Sequence, residues 1–274
     1  MQVLYKIFLP FLILPFAQKA QSDWVLPLKE KVYLTGNYGE IRPNHFHTGL
    51  DFKTHPVNNL PIYAVAAGYV SRIKVSTHGY GKVLYITHAN GLVSMYGHQN
   101  AFNDTIKKYV AVAQQQQETF EIELLPKPNE LPVKQDEIIG FSGNTGDVEG
   151  PHLHFEIRDE KTEIPLNPFR IFKIIDTVAP TITSVVLYDD DYAEPQLIKI
   201  KKKTDTVSVS YKFGIGIVCF DLEQVHGNKN NIYKTELYLD GKLFYSHTLD
   251  SISFDLARYV NTYCDYDAIK KNGR

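Results

Sequence analysis

Between residues 24 and 174 the chain runs in short apolar stretches, each the length of a single strand and each cut by Gly, Pro or Asn. Residues 61–73, 83–88, 93–96, 137–142 and 152–158 read as strands, with turns at Gly81, Asn90-Gly91 and Gly143-Asn144. Asn90-Gly91 predicts a type I′ hairpin, because both residue types tolerate positive φ. One segment has a different period. Across 104–118, Ile106, Tyr109, Val110 and Ala113 recur at helical spacing ahead of a short Gln tract. This predicts a helix inserted between two strands, capped by Asp104 or Thr105 and stopped before Pro126 and Pro128. The insertion is expected to lie on the surface and to border whatever groove the sheet carries.

A Pro-marked joint at 176–180 precedes a second set of alternating runs at 181–188, 207–211, 215–220, 235–239 and 242–248, the last two joined by Asp240-Gly241. The pattern therefore predicts an all-β chain. Residues 21–176 form a compact antiparallel β domain with a helical insertion, and residues 177–274 form a small β-sandwich-like domain. No internal repeat is present. Residues 259–274 carry no closing apolar strand, which leaves a truncated chain open.

Composition narrows the function classes. With 43% apolar and 22% charged residues in 274, the chain has enough material for one large or two ordinary cores. A formal net charge of −2 gives no general electrostatic reason to bind nucleic acid or an anionic membrane. The basic run 199–203 and the acidic run 189–191 read as solvated edges. At the N-terminus, Lys6 precedes the apolar run 7–17 and a short polar exit, which predicts a secretory signal over residues 1–20. The run falls short of the roughly 18 apolar residues a membrane span needs. Export to the periplasm or cell envelope is expected, with an uncleaved interfacial anchor as the alternative. Cys219 and Cys264 read either as one disulfide or as buried thiols.

The candidate chemistry begins at His152-Leu153-His154. A strand sends alternate side chains to one face, so the two imidazoles point together while Leu153 and Phe155 point into the core. A second pair, His45 and His47, precedes Asp51. His47 and Asp51 share a face in either an extended or a helical conformation, and Gly49 between them removes a side chain that would crowd the site. One His of the later pair completes the set His47, Asp51 and His154. Two neutral imidazoles and a carboxylate suit a catalytic zinc with an open fourth position, and their net charge of about +1 draws the pKa of water at the metal from ~15.7 toward ~7. His98 and His152 then remain to handle the proton and the developing oxyanion.

Other residues have plainer readings. His45 is surplus once three ligands are found. Glu156 and Arg158 share the face of His152 and His154 and are candidates to orient a ligand, with a surface role equally open for Arg158. Arg42 reads as a structural loop residue before it reads as a holder of a substrate carboxylate. His55, His78, His88, His226 and His247 have no partner motif and read as surface or turn residues.

His47-x-x-x-Asp51, then Tyr96-Gly97-His98, then His152-x-His154 appear in that order. This chain resembles the zinc metalloendopeptidases of the M23, or lysostaphin/LytM-like, group in these three motifs. Residues 61–68, 79–82 and 144–156 are similar to the same group, so the likeness covers about residues 30–170. The resemblance implies a lipoyl-like antiparallel sheet with a groove across it and hydrolysis of peptide cross-links in bacterial peptidoglycan. It also implies one zinc on His47, Asp51 and His154, with His98 and His152 as the catalytic pair. A groove that binds cell-wall peptide without cleaving it, or that activates a partner hydrolase, is the alternative. The segment from about 102 to 130 is longer than the group's usual connection.

Overall fold

A computed structural model of the protein describes residues 24–30, 33–54, 59–172, 178–189, 195–199, 212–222 and 228–268. The expected signal segment lies outside the described residues, as do His55, His226, the expected strand 207–211, the first two residues of the joint and most of the two charge runs. Among the described residues, no helix is long and apolar enough to cross a membrane.

The front region consists of strands Leu34–Gly36 (β1), Ile41–Arg42 (β2), His45–Phe46 (β3), Leu50–Lys53 (β4), Pro61–Tyr63 (β5), Gly68–Val75 (β6), Lys82–His88 (β7), Leu92–Gly97 (β8) and Ala101–Phe102 (β9). These are followed by the helix Asp104–Gln117 (α1) and strands Ile122–Leu124 (β10), Pro132–Val133 (β11), Ile138–Phe141 (β12), His152–Asp159 (β13) and Pro165–Leu166 (β14). The main sheet is antiparallel in the order β1-β4-β13-β8-β7-β6-β10, with β11 on β6 and β14 on β13. A smaller sheet has the order β5-β12-β9. The run read as a single strand at 61–73 is thus divided between the two sheets. The fold is mostly β, as expected.

The apolar positions that alternate along each strand meet between the layers. Leu50, Phe52, Leu84, Ile86, Tyr96, Leu153 and Phe155 are essentially inaccessible to solvent, each burial worth roughly 1.5–3 kcal/mol. The Tyr96 hydroxyl would be costly there unpaired, and it donates nothing to solvent: it accepts from the Val65 amide at 3.1 Å and from Ser94 Oγ at 2.9 Å.

Two local expectations are corrected. The cap of α1 is Asn103, whose side chain accepts from the Ile106 amide, so the helix starts one residue before the Asp104 or Thr105 reading. The helix packs on β9 and β10, neither of which carries a histidine motif. In the β7–β8 turn only Gly91 has positive φ (79°), and its amide bonds the His88 carbonyl. That is a type I turn with a left-handed Gly, not type I′. Asp240 and Gly241 both have positive φ, as a type I′ turn requires.

Beyond the joint lie Thr181–Asp189 (β15), Gln196–Lys199 (β16), Phe213–Phe220 (β17), Lys234–Leu239 (β18) and Lys242–Thr248 (β19). They form an antiparallel sheet β16-β15-β17 and the hairpin β18-β19. A short helix, Phe254–Ala257 (α2), follows. Leu249, Ile252, Ala257 and Val260 are buried in the same apolar cluster as the front strands. Cys219 and Cys264 are free thiols, both half-buried, so no disulfide links them.

Candidate metal centre and active site

Strand register assembles the site. In β13, His154 lies directly opposite Asp51 of β4 on one side and Gly97 of β8 on the other. Opposed residues of an antiparallel pair project to the same face, so Asp51 and His154 are neighbours by backbone geometry alone. His47 enters from the turn before β4. Gly49 permits this, because a Cβ there would strike the Phe155 carbonyl and lie 2.9 Å from His154 Cε1. His98 directly follows β8 and has φ of 57°. That left-handed turn, which costs roughly 1–2 kcal/mol in a non-Gly residue, brings its ring back toward His152, with centroids 4.8 Å apart.

Hydrogen bonds fix which nitrogen of each imidazole carries the proton. Nδ1–H of His47 donates to the Asn37 carbonyl at 2.7 Å, that of His98 to the Thr145 carbonyl at 2.9 Å, and that of His152 to the Gly150 carbonyl at 2.9 Å. All three rings therefore present Nε2 as a lone pair. His154 is reversed. Its Nε2–H donates to Glu156 Oε1 at 2.8 Å, leaving Nδ1 toward the cluster.

The inward atoms are then His47 Nε2, His154 Nδ1 and Asp51 Oδ1, mutually 2.9–3.0 Å apart. Among the described residues these three form the group whose ligand-type atoms converge closely enough to hold a metal ion. Three basic atoms at that spacing, all buried, require a positive charge among them: either a proton on His154 or a metal ion. Burial opposes charging His154, but Asp51 and Glu156 at its two nitrogens outweigh burial and raise its pKa to about 9. Burial likewise opposes ionisation of Asp51, and His47 and His154 override it to hold the carboxyl well below the usual range. The donor set of two imidazoles and one carboxylate is the type that catalytic zinc uses.

A polar layer supports the cluster. Glu156 is fully buried, and its Oε1 accepts from Thr48 Oγ1 (2.8 Å) and the Tyr80 hydroxyl (2.9 Å) as well as from His154. Its Oε2 accepts from Arg158 Nε at 2.7 Å. Burial raises the Glu156 pKa, while Arg158 and His154 lower it further, to about 2. Arg158 is itself buried between the rings of Tyr85 and Phe254, which excludes the surface role. Arg42 bridges Asp51 Oδ2 at 3.0 Å and Glu40 Oε2 at 2.9 Å, so it is bound to the cluster's own carboxylate.

Desolvation, followed by its charged histidine neighbours, lowers the pKa of His98 to about 3. Burial also lowers that of His152, against the pull of Asp51. His152 Nε2 lies 3.6 Å from Asp51 Oδ1, and both rings are neutral near pH 7.

The five residues singled out in the sequence thus lie together. His45 is exposed and bonds back to the Pro43 carbonyl. His88, read as a surface or turn residue, is buried and bridges the Ala67 carbonyl and Ser94 Oγ. Sequence reading gave no role to Asn37, Thr48, Tyr80 and Thr145. Only Tyr80 and Thr145 carried a signal, since both fall in stretches similar to the M23 group.

Residues 45–117, which hold His47, Asp51 and His98, match peptidase family M23. This stretch, about a quarter of the chain, is similar to M23 peptidases. Over 125 residues it is 32% identical to the DD-carboxypeptidase/endopeptidase Mpg of Neisseria meningitidis serogroup B, covering 46% of this chain and 22% of that protein. The chain thus spans about a fifth of the length of the curated relatives it matches. Among solved structures, the catalytic domain of the prophage-encoded M23 protein EnpA from Enterococcus faecalis is 24% identical, with a TM-score of 0.40 over 53% of this chain and 95% of that one. The catalytic domain of lysostaphin from Staphylococcus simulans is 21% identical, with a TM-score of 0.39 over 52% and 92%.

Proposed function

We propose that this chain is an exported zinc metalloendopeptidase that hydrolyses peptide cross-links of bacterial peptidoglycan. The convergence of His47 Nε2, Asp51 Oδ1 and His154 Nδ1, each turned inward by a fixed partner on its far side, carries the reading. A zinc ion held by these residues supplies Lewis acidity, polarising a carbonyl and making a water molecule acidic near neutral pH.

The chain's own residues supply the remainder. His98 and His152 are neutral, with Nδ1–H anchored on backbone carbonyls and Nε2 free. Each can take a proton at Nε2 and then return it, or donate it to a developing oxyanion. A groove that only binds peptide gains nothing from two such rings beside a metal cluster, which favours catalysis over the binding-only alternative. The match to DD-carboxypeptidase/endopeptidase relatives supports peptidoglycan peptides as substrate, and the N-terminal apolar run supports export to the compartment where they occur.

The test is digestion of purified peptidoglycan, with mass analysis of the released peptides, with and without a chelator. Chelator-sensitive release of stem or bridge peptides is expected. Intact peptidoglycan under zinc-replete conditions would sink the enzymatic reading.

A further inference from the structure

Residues beyond 228 reach the metal cluster without donating a ligand to it. His47 is gripped by one loop, residues 37–40. Its Nδ1–H bonds the Asn37 carbonyl, its own carbonyl accepts from the Gly39 amide at 2.8 Å, and its amide donates to the Glu40 carbonyl at 2.8 Å. That loop is in turn gripped from the C-terminal region. The Asn37 side chain donates to the Asn231 carbonyl at 2.7 Å and accepts from the Asn231 amide at 3.1 Å, while the Asn231 side chain donates to the Gly39 carbonyl. Leu249 closes the same contact. Gly39 has φ of 79°, and a Cβ there would fall 2.6 Å from Leu249 Cδ1. Tyr263 packs on Phe46, the residue before His47, with ring centroids 5.4 Å apart.

We infer that Asn37 and Asn231 form a clamp through which the C-terminal region sets the orientation of His47. They are positioning residues for the metal centre, and the inference rests on the metal reading above. The geometry separates two parts of Asn37: its backbone carbonyl fixes the tautomer of His47, and its side chain carries the clamp. Asn37 is only 7% exposed, so its amide has little access to water as a substitute partner. Asn231 lies outside the span matched to family M23. The supports of the other imidazole run the same way, because Phe254 covers Arg158, which holds the Glu156 carboxylate that fixes His154.

Asn37→Ala tests the clamp in the full chain, since it deletes the side chain and keeps the carbonyl that His47 uses. Zinc affinity would be measured by competition with a chromophoric chelator, at a temperature where circular dichroism shows the variant folded. The tautomer of His47 would be read from long-range 1H–15N spectra of the metal-free protein. Expected are a 10–100-fold loss of zinc affinity, the range typical when a ligand's hydrogen-bonded support is removed, and a mixture of tautomers where the parent shows Nδ1–H alone. Tyr233→Phe, which loses only the hydrogen bond to Asp250 in the same region, should change neither. Asn231→Asp keeps the backbone pairing but replaces the donor to Gly39 with an acceptor. It should weaken zinc binding in the same direction and serves if Asn37→Ala does not fold. Unchanged zinc affinity and a single unchanged tautomer in a folded variant would overturn the clamp. A parent protein that binds no zinc would instead overturn the metal reading, and the tautomer measurement alone would then decide the clamp.

Discussion

His154 sits between two carboxylates and must choose between a proton and a metal. Its pKa, raised from 6.5 to about 9 in the metal-free protein, means that metal binding near pH 7.5 displaces about one proton. Zinc affinity is therefore expected to rise with pH until about 9 and then to level. Calorimetric titration in buffers of different ionisation enthalpy would count the proton, and a proton-neutral titration at pH 7.5 would contradict the assignment. The sign for stability follows. A raised pKa stabilises the metal-free fold below pH 6.5 and loses that contribution as pH climbs through about 9, so the increase in melting temperature on adding zinc should widen across that window. His154→Ala is expected to abolish both metal retention and cleavage. In His152→Ala the metal should stay while turnover falls by about 10² or more, the scale of a lost acid–base group. Metal content by atomic absorption, set beside peptide release, separates the two roles, and full activity in either variant would remove that residue from its role.

Strands and turns make the site by register more than by any individual side chain. The β4–β13 pairing sets Asp51 against His154, and Gly49 allows the turn before β4 to close on the β13 backbone. Gly49→Ala is therefore expected to cost about 1–3 kcal/mol through overpacking and to lower zinc content with it, read as denaturant midpoint and bound metal on the same sample. Asn103→Ala makes the contrast. It removes the cap of α1, expected to cost about 1 kcal/mol, and should leave zinc affinity unchanged because α1 packs on β9 and β10, which carry none of the cluster's residues. Loss of metal in that variant would show that the helix is coupled to the site after all.

At the scale of the molecule, the front strands and the segment after β19 enter the same apolar core. Leu249 is 3% exposed and also closes on Gly39. Leu249→Ala is thus expected to destabilise by about 2–5 kcal/mol, as cavity-forming substitutions do, and to loosen the loop that holds His47. Thermal melting followed separately by a front-region and a C-terminal probe should show both transitions moving down together. A C-terminal transition that shifts alone would mean that the two parts are energetically separate.

Spacing along the chain was enough for whatever depends on local geometry. His152 and His154 had to share a face, His47 and Asp51 lay within reach of one another, α1 showed its period, and the Asp240-Gly241 turn its residue types. What a side chain meets across the fold has no such local trace. Glu156 and Arg158 alternate with apolar residues just as solvent-facing ones do, and only the cover provided by Tyr80, Tyr85 and Phe254 makes them a buried ion pair. His88 was indistinguishable from a turn histidine until Ala67, Ser94 and Trp24 closed around it. Asn37 and Asn231 are 194 positions apart, and neither residue type marks a partner at that distance. The chain encodes which side chains can reach one face, because backbone period is local. Which nitrogen keeps its proton, and which charge loses its water, depends on atoms that arrive from elsewhere when the core closes.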